Sequence, residues 1–294
     1  MLLAEFEQLR SAGHVVHGVQ TNATLITNEW CELFADYGFR VGVSIDGPAA
    51  QNAARVEWRR KPTFERIVRG IALLRGAGIP FSVICVVTPE TINNVDVLFR
   101  YFEDLGCMSV GFNLEEQEGV NAHRTPLTTE QAERFWLRLW QLREAGSALA
   151  IRDLDRLVDW LDTTRAGVAV PLRLFDPIPT VSCTGDVVML SPELLGIRDS
   201  GYGDFVIGNV LQEPIPAMLA CSRKVRYVDE FAAGLDACAK QCEYFDFCRG
   251  AQAGNRYFEH GNFVSTETAY CRNTRQALVR AAASHLTCES PERR

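Results

Sequence analysis

The chain has 294 residues, 47% hydrophobic and 23% charged, with a formal net charge of −7, a globular composition long enough for one large core or two domains. An acidic chain lacks the basic surface that neutralises phosphates, so the charge argues against nucleic acid as a partner. No apolar run reaches the length of a membrane span, and Glu5 and Glu7 interrupt the first segment where a secretion signal needs unbroken apolar residues, so a cytoplasmic protein is expected.

In chain order, residues 1–12 read as a helix and 14–21 (HVVHGVQT) as a short strand. Thr27 is placed to cap a helix reaching Tyr37, with Gly38 to end it. Residues 40–45 form the next strand, stopped by the turn signal Asp46-Gly47-Pro48. Phe64, Ile67, Val68, Ile71 and Leu74 share one helical face, with Gly78 just past its end. The run FSVICVV over 81–87 predicts a strand buried on both faces. Asn94 is placed to cap a helix with Val95, Leu98, Phe99 and Phe102 on one stripe, and SVGFNL over 109–114 is the following strand. Thr128 and Gln131 have the spacing of a capping box, and a second amphipathic helix lies near 154–161. The proline-rich, aperiodic stretch 168–180 predicts a domain boundary.

Repeated strand–helix units imply a parallel sheet with helices outside it, and ligands in such sheets sit beyond the carboxyl ends of the strands. Those ends carry Gln20, Thr21 and Asn22, then Ser44 and Asp46, then Asn113, Glu115 and Glu116. Each alone is what a turn favours. Three strands ending this way predict one shared cleft.

Ten cysteines are many for a reducing compartment, where disulfides are a poor explanation. Cys31, Cys85 and Cys107 are scattered, as small buried hydrophobes are. Cys238-x3-Cys242-x5-Cys248, followed after 22 residues by Cys271, has the density of a metal site. Four thiolates suit zinc or a [4Fe–4S] cluster alike; spacing alone puts zinc first.

The local sequence extends this. CAKQCEYFDFCRG followed by NRYFEHGNFVSTETAYC resembles the SPASM segment of radical SAM peptide maturases. CTGDVVMLSPELLG and DFVIGNV resemble the hairpin region that opens it, and QTNATLI, VGVSIDGP and VGFNLEEQEG resemble the third, fourth and sixth barrel strands of the same enzymes. Within the family the chain resembles most the cyclophane-forming maturases of ribosomal peptides. The resemblance implies an α/β fold: a partial radical SAM (β/α) barrel with parallel strands over 1–175, then a small α+β cysteine-rich SPASM domain over 176–294.

It also implies an enzyme that uses S-adenosylmethionine and iron–sulfur clusters to install a carbon–carbon crosslink in a ribosomal precursor peptide. By the same resemblance Gln20, Thr21, Asn22, Ser44, Asp46 and Arg55 line the S-adenosylmethionine site. Arg55 would meet the methionine carboxylate with a bidentate bond, unless it is a surface arginine beside Arg59 and Arg60. Glu115, Glu116 and Glu118 are positions that could face substrate, with a solvated acidic loop the expected account of at least two of them. Cys238, Cys242, Cys248 and Cys271 would hold one auxiliary cluster. Cys183 and Cys221 are further ligand positions, but Gln252 stands where a second cluster's cysteine is usual, and Cys288 reads as an incidental thiol.

The sequence departs from the family where the Cys-x3-Cys-x2-Cys loop for the S-adenosylmethionine cluster and a Gly-Gly-Glu motif are expected; neither occurs in it. The expectation is therefore a barrel without its first two strands, inactive alone. A start placed too far downstream, a truncated gene, and a separate chain supplying the missing part explain this in that order. The alternative reading is a non-catalytic iron–sulfur or zinc module that binds a peptide.

Overall fold

The computed structural model describes residues 2–8, 13, 15–121, 123–168 and 176–288. Their packing forms two compact units, one from Met1–Asn113 and Leu137–Arg156, the other from Leu114–Trp136 and Leu157–Arg294. The division expected at 168–180 abuts residues 169–175, which lie outside the described ones.

The first unit is built on a parallel sheet of β1 (Gly18–Thr21), β2 (Arg40–Ser44), β3 (Phe81–Val87), β4 (Ser109–Leu114) and β5 (Ala150–Ile151), ordered as in the chain. Between the strands run α2 (Asn28–Asp36), α3 (Phe64–Gly76), α4 (Val95–Leu105) and α5 (Thr129–Glu144); α1 (Leu2–Gln8) precedes β1 and α6 (Arg152–Arg165) follows β5. The first strand is shorter than the apolar run predicts: it begins at Gly18, just after the His17 carbonyl that accepts from the Arg40 amide at 2.9 Å, and His14 and residues 9–12 lie outside the described ones. Thr27 and Asn94 do precede helices, but neither side chain makes a capping bond. Left-handed glycines follow the predicted helices, Gly38 at φ 60° and Gly78 at φ 68°.

The two faces of this sheet differ. On one, Val41, Val43, Phe81, Val83, Cys85, Val87, Val110 and Phe112 are buried. Phe102 of α4 meets Phe112 edge-on at 5.9 Å. On the other face the register aligns Gln20 with Gly42 and Ser82, and Ser44 with Ile84. Ser109 bonds Ser82 across that face at 3.2 Å. This corrects the expectation for β3: its alternate residues Ser82, Ile84 and Val86 are only half-buried. The run looks uniformly apolar because two β-branched residues stand on the polar side.

In the second unit β6 (Thr180–Val181), β7 (Asp186–Val188) and β8 (Gly208–Asn209) form a small antiparallel sheet. It is followed by α7 (Ile215–Ala220), α8 (Arg226–Gln241), α9 (Phe245–Cys248) and α10 (Ala253–His260). The last helix, α11, opens with a wide π-helical turn over Cys271–Gln276 and continues as Ala277–Cys288; the Cys288 side chain is outside the described residues. Val188, Met189, Phe205, Tyr227, Phe231, Leu235 and Phe263 make the core. Tyr227 is buried there because its hydroxyl is satisfied at both ends, accepting from the Met189 amide at 2.9 Å and donating to the Phe205 carbonyl at 3.1 Å.

The capping box is present at the start of Thr129–Glu144: Gln131 Oε1 accepts from the Thr128 amide at 2.9 Å, and Thr128 Oγ1 from the Gln131 amide at 3.2 Å. Further along that helix, Trp136 is fully buried and its indole donates to the Asn273 carbonyl at 2.7 Å. Asn273 in turn bonds the Leu127 carbonyl at 3.0 Å and takes a bond from Thr129 at 3.1 Å. Residues 127–136 are thereby fixed to the turn that carries Cys271.

Candidate functional site

Two groups of predicted residues are brought together, one in each unit. In the first, Asp46 follows β2 and is buried. Arg55 grips it with both arms of its fork, Nε to Oδ2 at 2.6 Å and Nη2 to Oδ1 at 2.7 Å, and the Val86 amide donates to Oδ1 at 2.8 Å. The bidentate bond expected of Arg55 is thus made to Asp46. Asn52 accepts from the Asp46 amide at 3.0 Å, and its buried Nδ2 has no partner among the described residues.

Gln20 donates to Ser44 at 2.8 Å across the half-open face, and a Cβ at Gly42 would collide with its amide oxygen. Thr21 and Asn22 build their own turn: Thr21 Oγ1 accepts from the Ala23 amide at 3.1 Å, and Asn22 Oδ1 from the Thr24 amide and hydroxyl at 3.1 and 2.8 Å. That turn packs on α3 where Gly70 leaves room, since a Cβ there would strike the Ala23 carbonyl. Gln20 and Ser44 therefore present polar groups, while Thr21, Asn22, Asp46 and Arg55 hold the strand ends in place.

In the second unit Cys238, Cys242, Cys248 and Cys271 line one cavity of about 530 Å³, with Arg275 and Gln276 on its wall. Cys238 lies in the last turn of α8 and Cys242 caps it, Cys248 ends α9, and Cys271 opens α11, so three helix termini bring their sulfurs to one space. The Cys271 thiol donates to Cys248, which lowers the Cys248 pKa and raises that of Cys271. Burial pushes the Cys238 thiol up, opposed by Arg256. Cys238 Sγ sits 3.3 Å from Arg256 Nη2, and Thr268 donates to Cys271 Sγ at 3.2 Å. Arg275 is buried, and its Nε has no partner among the described residues.

Among the described residues no three of His, Cys, Asp and Glu converge on a single ion position. A cubane cluster does not require that, because each thiolate binds its own iron at a separate corner. Four sulfurs round one space, with cationic side chains beside them, fit a thiolate-held cluster whose net charge is negative. Cys183 and Cys221 are exposed and do not line this cavity.

Sequence reasoning missed two features here, the first being the surroundings of Glu116, a residue it had named. Glu116 is half-buried beside Asn255, whose amide donates to it, and its pKa rises to about 8 through burial and the neighbouring charges of Glu118, Glu193 and Glu259, with Arg275 opposing. Glu115 instead pairs with Arg124 at 3.0 Å. The other missed residue is Arg256, 1% exposed, for which no sequence pattern gave warning.

The sequence itself has relatives. Residues 2–102 match the radical SAM superfamily. An uncharacterized protein of Synechocystis sp. is 32% identical over 261 residues, spanning 87% of this chain and 66% of that protein. A serine-type anaerobic sulfatase-maturating enzyme of Bacteroides thetaiotaomicron is 23% identical over 261 residues, 81% of this chain and 61% of that enzyme. The chain therefore spans less than two thirds of the length of both. The solved structure of native anSMEcpe with bound AdoMet and Cp18Cys peptide superimposes with a TM-score of 0.75 at 20% identity, covering 97% of this chain and 81% of that one. That likeness is one of fold.

Proposed function

We propose that the chain is the larger part of a radical SAM/SPASM maturase, with a barrel part over 1–175 and a SPASM domain over 176–294, that crosslinks a ribosomal precursor peptide. Its auxiliary [4Fe–4S] cluster is assigned to Cys238, Cys242, Cys248 and Cys271. The observation that carries this reading is that these four cysteines, distant by up to 33 positions in sequence, line one cavity in a chain whose first third matches the radical SAM superfamily. A single zinc ion needs its four sulfurs at about 2.3 Å. A cavity of about 530 Å³ better suits a cluster. The peptide substrate is inferred from the peptide bound in anSMEcpe. The cyclophane product is inferred from the resemblance of the sequence to enzymes that form it.

When bound, an auxiliary cluster supplies a one-electron relay. The chain's own residues give it four thiols round one cavity, the buried Arg275 on its wall, the buried Arg256 behind Cys238, and a support fixed by Trp136 and Asn273. In the barrel part, Gln20 and Ser44 present hydrogen-bonding groups toward S-adenosylmethionine, and Arg55 and Asn52 lock Asp46 in place. The cluster that cleaves S-adenosylmethionine finds no Cys-x3-Cys-x2-Cys run in these 294 residues.

Anaerobic reconstitution with iron and sulfide tests the assignment. The expected product is brown and holds about four irons per chain, and Ala at any of the four cysteines reduces that count. A colourless, iron-free product, or one loaded with zinc in preference, would sink the cluster and leave a binding module. A form extended to include the cysteine triplet should release 5′-deoxyadenosine from S-adenosylmethionine; none released would end the enzymatic reading.

A further inference from the structure

Arg256 lies on α10 with 1% of its surface exposed. Its Nη1 donates to the Phe263 carbonyl at 3.1 Å, and its Nη2 to the Gly250 carbonyl at 3.0 Å and to Cys238 Sγ at 3.3 Å. The guanidinium stacks over the Phe231 ring, 4.9 Å from its centroid. Among the described residues no carboxylate pairs with it. Two carbonyls and an aromatic face satisfy its hydrogens without cancelling its charge. A buried charge left so is costly, and the Cys238 sulfur is the group in contact with it that becomes an anion.

The rest of the fold makes room for this arrangement. Gly234 sits inside α8, where glycine is a poor helix former. A Cβ at that position would collide with Arg256 Nη1 and lie 2.7 Å from the Phe263 carbonyl. Gly250, at φ 99°, turns its carbonyl onto Nη2. Two glycines thus serve the seating of one cation against one sulfur.

Resting on the reading that Cys238 is a cluster ligand, we propose that Arg256 is a positioning residue that raises the cluster's reduction potential. Going from the 2+ to the 1+ state, the cluster takes one electron and gains one unit of negative charge. A fixed cation donating a hydrogen bond to a ligand sulfur stabilises the more negative state more, so reduction becomes easier. The charge of Arg256 is permanent, which makes the effect independent of pH in the neutral range.

The experiment is a redox titration of the reconstituted chain with dithionite, following the reduced cluster by electron paramagnetic resonance, for wild type, Arg256→Gln, Arg256→Lys and Gly234→Ala. Arg256→Gln keeps an N–H donor and removes the charge. Its reduced-to-oxidised ratio at a given potential is expected to fall about tenfold, which is about 59 mV for one electron. Gly234→Ala displaces the guanidinium and shifts the potential the same way, while Arg256→Lys stays nearer wild type than Arg256→Gln. Loaded variants with the wild-type potential overturn the proposal, as does Lys shifting as far as Gln, which would make shape the cause. Should Arg256→Gln yield no folded protein by circular dichroism, Gly234→Ala decides by the same criterion. Wild type that takes up no iron sinks the cluster reading and this proposal with it; iron-loaded variants with unmoved potentials sink this proposal alone.

Discussion

Glu116 holds a proton where an ordinary glutamate has lost it. Its pKa is raised from 4.5 to about 8, first by burial and then by Glu118, Glu193 and Glu259. Between those two values the folded chain keeps a proton that the unfolded chain releases. Stability therefore declines as pH rises through that window, by up to about 1.4 kcal/mol per pH unit from this group. Glu116→Gln keeps a neutral side chain beside Asn255 and should flatten the decline, read from urea unfolding at about pH 5 and about pH 8. A slope unchanged by the substitution would assign it elsewhere. The Asp46–Arg55 pair gives a second test at this scale. Removing Arg55 strands a carboxylate whose side chain is 9% exposed, and Arg55→Met should cost about 3 kcal/mol. Adding Asp46→Asn should cost less than the sum of the two single changes, since both act on one contact.

The helices show which signals survive without tertiary context. The capping box at Thr128 and Gln131 was legible because both partners lie within one turn, and Thr128→Ala should cost about 1 kcal/mol in thermal or urea unfolding. The stripes of α3 and α4 were legible because burial on one side imposes the helical period. β5, two residues long, offers no period to read. The two-faced character of β3 was hidden because Ile84 and Val86 are apolar yet stand on the half-exposed side. Among the site residues, the cysteines were legible from spacing and resemblance. The grip of Arg55 on Asp46 was not, since it depends on how the eight residues between them turn back. Arg256 was the least visible, because an arginine in a short polar helix usually faces water; the one local hint was a glycine in the interior of α8.

For the chain as a whole, two compact units imply two unfolding events with separate sensitivities. The four cysteines all belong to the second unit. Loading with iron and sulfide should raise one calorimetric transition and leave the other in place, because a ligand stabilises only the state that binds it. A single transition that moves as one would mean that the units unfold together. No described helix is long and apolar enough to cross a membrane.

The anchoring of Trp136 has an optical consequence. Its indole is tied to the carbonyl of Asn273, two positions beyond Cys271, and Trp160 meets Phe247, the neighbour of Cys248, at 5.6 Å. A visible-absorbing chromophore among those sulfurs would drain the emission of these two indoles, since both are tied to the segments that carry them. The protein then reports its own filling: fluorescence should dim as iron enters, and recover when a chelator removes it.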